Sequence, residues 1–388
     1  MKKNFDAVII GGGVMGCSIQ YNLAEMGMKN TLLLEKNVLG SGSTSRSQAI
    51  LRMHYSNEVT ARLAWDSLKF FQNFSDLLGA SSGYSKTGYL LIVDQKDQSA
   101  MRNNIEMQEK LGINTKELNV SELREKCPMI APFENESYCW EPESGYADPY
   151  SVTSAFANRA RDLGASIRDS TEVFSIDIKG SSVAGVKTVD GTVNTKVVVV
   201  AAGPWSGPLL KSVDVDFGLE TIRHQVILLR RSDDLMPTHP IIGDVVHDFS
   251  ARPDIGGITM IGVGEDERVG PDDFNQGVDM PVVERTMTNM VRRIPGMETS
   301  FFRGGWSGLF TTTPDWHPIL DSIDEVSGLY AAVGFSGHGF KLSPMIGKVM
   351  AETILTGHSK SVDVSQLKAK RFQTNDLLES RYRMQVLA

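Results

Sequence analysis

Gly11, Gly13 and Gly16 sit between a short β-branched run and a helical pattern, and no other feature of the chain constrains its folding so tightly. The run FDAVII, residues 5–10, predicts a buried parallel strand, and the helical pattern runs from Val14 to about Met26, where Gly27 and Lys29 suit its end. A second strand over residues 31–34 ends in Glu35, nineteen residues beyond Gly16. Strand, glycine turn, helix, strand and terminal acid in this register define a dinucleotide-binding unit. Gly11 permits the turn, Gly13 lets the backbone approach a pyrophosphate, and Gly16 lets the helix pack close to the strand. The free N–H groups and the dipole at the helix start attract phosphates. Glu35 can accept hydrogen bonds from an adenosine ribose, and an acid here argues against a 2′-phosphate. The fingerprint alone leaves NAD and FAD both open.

At 388 residues the chain is long enough for one large or two medium domains. Its net charge of −8 and the lack of any basic block argue against a nucleic-acid surface. Cys17, Cys127 and Cys139 form no C-x-x-C pair, so neither a disulfide framework nor a zinc site is expected, and a reducing, cytoplasmic setting is the default. No apolar stretch approaches the length of a membrane span, and no metal-ligand spacing is found among the histidines.

Beyond Glu35, the loop GSGSTSRSQ carries Arg46 and leads to Arg52, His54 and Tyr55. Its small hydroxyl residues offer donors to a phosphate or a flavin edge; the plain alternative is an exposed linker. Residues 58–78 read as one helix with an aromatic core face. Residues 88–93 read as a strand, 98–111 and 120–127 as helices, and 149–163 as a helix capped by Asp148. The run VVVVAAGPWS is apolar on both faces, which places it in the first, parallel sheet with Ala202 and Gly203 beside the cofactor. Residues 217–230, 247–252 and 257–263 read as antiparallel strands, followed by a helix over 281–293. Gly262-x-Gly264 imitates a second fingerprint but lacks the third glycine, and Glu265, Asp266 and Glu267 would repel a pyrophosphate. With one fingerprint, two nucleotide cofactors in two Rossmann units are disfavoured. Near the end, Gly334–Lys341 forms a second glycine-rich loop feeding a helix, with Ser343 as the expected cap and Pro344 at its first position. A positive helix end there would stabilise negative charge on a flavin ring.

The motifs IIGGGVMG with LLLEK, GSGSTSR…ILR, VVVVAAGPWS, TPDWHPILD and GLYAAVGFSGHGFKLSPMIG together resemble the D-amino-acid oxidase-like family of FAD enzymes. Within it they are most similar to the branch of sarcosine oxidase, glycine oxidase and dye-linked proline dehydrogenase. The resemblance covers about residues 5–358, and GFSGHGFK is its most specific part. It implies an α/β fold: a Rossmann-like FAD-binding domain (1–82, 142–215 and 300–360) and a discontinuous second domain on a mostly antiparallel sheet (83–141 and 216–299), with 361–388 as a surface tail.

The resemblance also implies FAD, and the lack of a cysteine near Gly308, where monomeric sarcosine oxidases tether theirs, makes non-covalent binding the expectation. Cofactor contacts are expected from Gly11, Gly13, Val14, Met15, Gly16, Glu35, Lys36, Ser43, Thr44, Arg46, Ser47, Val173, Ala202, Gly203, Trp205 and Gly308, and from Gly334, Gly337, His338, Gly339, Phe340 and Lys341. Arg52 and Lys341 fall where the family grips a substrate carboxylate, and Phe310, Trp306 and His338 match or neighbour positions lining flavin and substrate. An Arg fork suits a carboxylate, and a buried cation is costly unless it meets an anion. Two departures stand out. Gly308 occupies the region of the family's flavin-tethering cysteine, and Met260 aligns loosely with an oxygen-activating lysine. The expected reaction is therefore FAD-dependent removal of a hydride from a small amino or N-methylamino acid of the sarcosine, glycine or proline type, by an oxidase or a dehydrogenase. The alternatives are an FAD-carrying subunit of a heteromeric amine dehydrogenase, or even a scaffold in such a complex, and a 2-hydroxy acid dehydrogenase. A small amine substrate and a homo-oligomer or partner subunits complete the expectation.

Overall fold

Strand Ala7–Ile10 is buried at every residue and pairs in parallel on both sides, Ile9 opposite Leu33 of Thr31–Leu34 and opposite Val199 of Val198–Val200. A strand apolar on both faces demands layers above and below it. The sheet grows to six strands, in the order Ile319–Ser322, Leu329–Val333, Val198–Val200, Ala7–Ile10, Thr31–Leu34 and Ser166–Arg168; only its Ile319–Ser322 edge runs antiparallel. The valine run thus joins the first sheet as its two-sided apolar character requires. The computed structural model describes residues 3–232 and 238–382, without the side chains of Glu265 and Asp266. The expected repulsion by those two acids, and residues 383–388 of the expected tail, lie outside this range.

Helix Val14–Glu25 lies on this sheet and is buried along almost its whole length, because helices Pro149–Asp162 and Gly339–Thr356 cover the face it turns away from the sheet. Its buried polar side chains reach partners across the layers: Ser18 Oγ donates to the Ser343 carbonyl at 2.7 Å and Gln20 Nε2 to the Ser166 carbonyl at 2.7 Å. Gly347 permits the close helix contact, since a Cβ there would lie 2.1 Å from Ser18 Oγ.

The second large sheet has eight strands, ordered Phe301–Thr312, Glu220–Arg230, Ile258–Arg268, Phe249–Asp254, Ile241–Asp244, Tyr89–Asp94, Glu136–Glu141 and Lys116–Leu118. It is antiparallel except where Ile241–Asp244 meets Tyr89–Asp94. Strand Phe301–Thr312 belongs to this sheet, although residues 300–360 were expected in the nucleotide domain; ten of its twelve residues pair along Glu220–Arg230. Gly262-x-Gly264 lies inside a strand, not at a turn.

Three further expectations are corrected. Residues 58–78 form two helices, Glu58–Gln72 and Phe74–Leu78, broken at Asn73. The last long helix begins at Gly339, so Ser343 is not its cap and Pro344 lies inside it. The missing proline N–H is tolerated because side chains serve the neighbouring backbone: Ser67 Oγ donates to the Leu342 carbonyl and accepts from Met345 N–H, both at 3.3 Å. Finally, the described part of the tail, residues 361–382, is not a mere surface appendage. Arg371 is buried in an ion pair with Asp315 at 2.7 Å, and Leu367 and Tyr382 are buried.

Candidate active site

The glycine turn has the geometry its spacing predicts. Gly11 has φ +110°, and a Cβ there would come within 2.4 Å of the Ala201 carbonyl oxygen; a Cβ on Gly16 would stand 1.9 Å from the Gly11 oxygen. Gly16 therefore sets helix against strand, while Gly11, Gly13, Val14 and Met15 line a long crevice that opens at the carboxyl ends of the parallel strands. Glu35 also lines it. Its carboxylate accepts from Gly12 N–H at 2.7 Å and from Asn37 N–H at 2.8 Å, which fixes its orientation at the end of the second strand.

The serine-rich loop wraps the crevice instead of hanging from it. Thr44 Oγ1 accepts from Val14 N–H at 3.1 Å at the helix start, and Ser43 Oγ donates to the Leu309 carbonyl at 2.8 Å. Arg46 bridges to the second sheet through the Ser307 carbonyl at 2.7 Å and Gln276 Oε1 at 2.8 Å. Ser47, Lys36, Val173, Ala202, Gly203, Trp205 and Gly308 complete this half, and Gly334, Gly337, Gly339, Phe340 and Lys341 line the other. Three sequence-predicted residues fall outside the crevice lining: Gly16, which packs helix against strand, His338 and Trp306. His338 is fully buried behind the loop, edge-on to Tyr55 with ring centroids 5.3 Å apart, and does not line the crevice. Trp306 is likewise set back, its indole N–H donating to the Arg46 carbonyl at 3.0 Å.

Arg52 and Lys341 meet at the far end. Both line the crevice and both are nearly buried, at 6% and 8% exposure. The Arg52 guanidinium lies 4.5 Å from the centre of the Tyr55 ring and the Lys341 amine 6.0 Å from it. Burial, reinforced by the Arg52 charge, holds the Lys341 amine well below its ordinary value. In the adjoining polar cluster the Glu141 carboxyl is pushed up by its burial, against the opposing pull of the Arg52 charge. Basic groups held close together in a desolvated pocket favour the entry of an anion. A carboxylate is the anion whose shape fits an arginine fork beside a lysine.

The second sheet forms the remaining wall. Phe310 stacks on His224 with centroids 4.4 Å apart and planes inclined at 18°. Burial lowers His224 to about 4, so it is a neutral ring at physiological pH. His224, Gln48 and Ser250 converge on Gly262, where a Cβ would meet Gln48 Oε1 at 2.2 Å, His224 Nε2 at 2.9 Å and Ser250 Oγ at 2.9 Å. None of the three was singled out from the sequence. A signal for His224 existed: strand alternation puts His224 and Val226 on the crevice face and turns Arg223 and Gln225 to the opposite face, where both bond Asp279.

These features define a class of protein: a crevice at the carboxyl ends of a parallel sheet, with a glycine turn and an oriented acid at one end, a second glycine loop facing it, and two buried basic side chains beyond. The family comparison agrees. Residues 6–353 match the model of the FAD dependent oxidoreductase family, and the chain belongs to that family. It is 27% identical over 387 residues to sarcosine oxidase subunit beta of an Arthrobacter species, covering 97% of this chain and 93% of the relative. Among solved structures it is similar to L-proline dehydrogenase from P. horikoshii, with a TM-score of 0.90 at 28% identity over 97% of this chain and 100% of that one. Glycine oxidase from Bacillus cereus gives a TM-score of 0.78 at 28% identity, covering 92% and 96% of the two chains. The chain is an FAD-dependent oxidoreductase, and no described helix is long and apolar enough to cross a membrane.

Proposed function

We propose that this protein oxidises a small amino acid or N-methylamino acid at the carbon next to nitrogen, giving an imine that water then hydrolyses. The observation that carries the proposal is the Arg52–Lys341 pair, two buried basic side chains that line the cofactor crevice and approach the same Tyr55 ring. Bound FAD supplies the acceptor for the hydride and its electron pair. The chain's own residues do the rest. Arg52 and Lys341 hold the carboxylate, Phe310 and His224 close the opposite wall against water, and the start of helix Gly339–Thr356 directs positive potential toward the crevice. No side chain is required as a base on a substrate that reacts as the neutral amine. The names of the relatives, sarcosine oxidase subunit beta, proline dehydrogenase and glycine oxidase, support the same substrate class.

FAD in this reading is held without a covalent bond. Gly308 stands in the crevice wall, and Cys17, Cys127 and Cys139 are buried away from the crevice. Acid precipitation should leave the flavin in the supernatant, and flavin in the pellet would overturn the assignment.

The test of function is anaerobic bleaching of the flavin by a panel of amino acids, N-methylamino acids and 2-hydroxy acids, followed by readmission of air. Bleaching by amines, with KM raised about 100-fold or more in Arg52→Ala while FAD remains bound, is the expected result. Bleaching by hydroxy acids alone would replace the substrate class. Rapid recolouring in air would identify an oxidase, and slow recolouring a dehydrogenase that passes electrons to another acceptor. A second reading, that the chain works as the FAD-carrying subunit of a larger assembly, draws on the relative named as a subunit. Sizing of the native complex tests it.

A further inference from the structure

The buried polar cluster behind Arg52 is larger than the carboxylate clamp needs, and it reaches the C-terminal segment. The Arg52 guanidinium donates to the backbone carbonyl of His54, two residues on. The His54 ring is fully buried and hydrogen bonds through Nε2 to the hydroxyl of Tyr382, with ring centroids 5.6 Å apart. On its other side, Nδ1 faces Glu141 Oε1 at 3.8 Å and Cys139 Sγ at 3.7 Å. Glu141 in turn accepts from Met53 N–H at 3.0 Å and Ser144 Oγ at 2.7 Å.

Tyr382 is only the last of several attachments. Arg371 pairs with Asp315, Leu378 N–H donates to Asp315 Oδ2 at 3.3 Å, Arg381 N–H donates to Ser56 Oγ at 3.0 Å, and the Arg381 guanidinium reaches Asn104 Oδ1 at 3.0 Å. The segment therefore crosses from the turn at Asp315 to the loop 52–57 and is hydrogen bonded at both ends. Tyr382 is 4% exposed and packs against a buried histidine two residues from Arg52, so the segment is tied directly to the loop that carries the substrate cation.

We propose that residues 378–382 are a strap that positions Arg52, with Tyr382 and His54 as positioning residues for the substrate carboxylate. The chain of contacts is short: the Tyr382 hydroxyl fixes the His54 ring, the fixed ring holds the loop backbone, and the His54 carbonyl orients the guanidinium. Arg52 is a long, flexible side chain, and its fork geometry binds a carboxylate tightly only when it is held in place beforehand. This inference rests on the reading of Arg52 as the carboxylate ligand.

The test compares Tyr382→Phe and a chain ending at Asn375, which keeps Arg371, with the FAD-loaded parent protein. With the best amine substrate, both variants should raise KM about tenfold, the value of one lost buried hydrogen bond, while kcat and FAD content stay within about twofold. Hydrogen exchange of amides 50–57 should quicken in both. An unchanged KM in both variants overturns the proposal, as does a proportionate fall of kcat and FAD content that marks a general loss of structure. Arg52→Ala separates the two readings: if it leaves KM unchanged, the carboxylate assignment has failed, and the exchange rates alone decide whether the strap braces the loop.

Discussion

At the dinucleotide end of the crevice the recognising groups are mostly backbone atoms from the stretch between Gly11 and Glu35. At the end where we propose that the carboxylate binds, they are side chains drawn from positions 52, 224, 310 and 341. The first end is built by removing atoms: glycines clear space, and the acid that lines the crevice from this stretch is oriented by two N–H groups. The second is built by adding charge where burial opposes it. One end therefore gains stability from its own geometry, whereas the other stores an electrostatic cost that a ligand relieves.

The comparison breaks most decisively at Gly16. A valine there would drive its Cβ into the Gly11 oxygen, which backbone on both sides prevents from moving. Gly16→Val should yield protein without flavin absorbance, or no soluble protein; a yellow, fully loaded variant would refute the close-packing role. Lys341→Met probes the opposite end and should separate function from stability. KM should rise about 30-fold or more, the cost of one lost partner of a buried charge contact. The FAD-free variant should nevertheless melt a few degrees higher, since about 1–2 kcal/mol of repulsion and desolvation is removed.

The same residue fixes a pH dependence. Its folded value lies below the unfolded one, so between the two the unfolded chain binds more protons, and stability rises as pH rises through that window. Carboxylate binding runs the other way. It needs the protonated amine, so affinity should fall as pH climbs past the lowered value. Acetate titrated against the flavin spectrum should show that falling limb in the parent protein and a flat profile in Lys341→Met. A falling limb that survives the substitution would assign the titration to another group.

Legibility from sequence follows the same division. The glycine unit was readable because its parts are local and their spacing is fixed by strand, turn and helix. The valine run was placed correctly because two apolar faces leave a strand few other locations. The wall containing His224, Gln48 and Ser250 was missed because those residues meet only after two sheets pack, and a single histidine in a strand has no motif around it. His338 was misplaced for a related reason. It lies between two loop glycines that do line the crevice, but its own side chain turns inward against Tyr55. The helix start was mistaken at Ser343 because Pro344 suits a first position in isolation, and the buried hydroxyl of Ser67 that lets the proline sit inside the helix lies far away in sequence.

The smallest expected effect lies where the second sheet reaches over the dinucleotide end. Asp272 Oδ1 accepts from Trp205 Nε1 at 2.9 Å and meets Lys36 Nζ at 3.1 Å, while that amine sits 3.8 Å from the centre of the Trp205 ring. Lys36 and Trp205 both line the crevice, so the contact ties its rim to the segment that precedes helix Met280–Arg293. Asp272 is largely exposed, and an exposed ion pair contributes at most about 1 kcal/mol. Asp272→Ala should therefore speed FAD release by about twofold to fivefold, followed as the rise of free-flavin fluorescence after dilution. Salt supplies the discriminating control. Because the pair is screened over about 10 Å at 0.1 M salt, added salt should speed release from the parent protein toward the variant's rate and change the variant little. If salt accelerates both equally, the responsible charges lie elsewhere along the crevice, and the dinucleotide end holds its cofactor by backbone geometry without help from the second sheet.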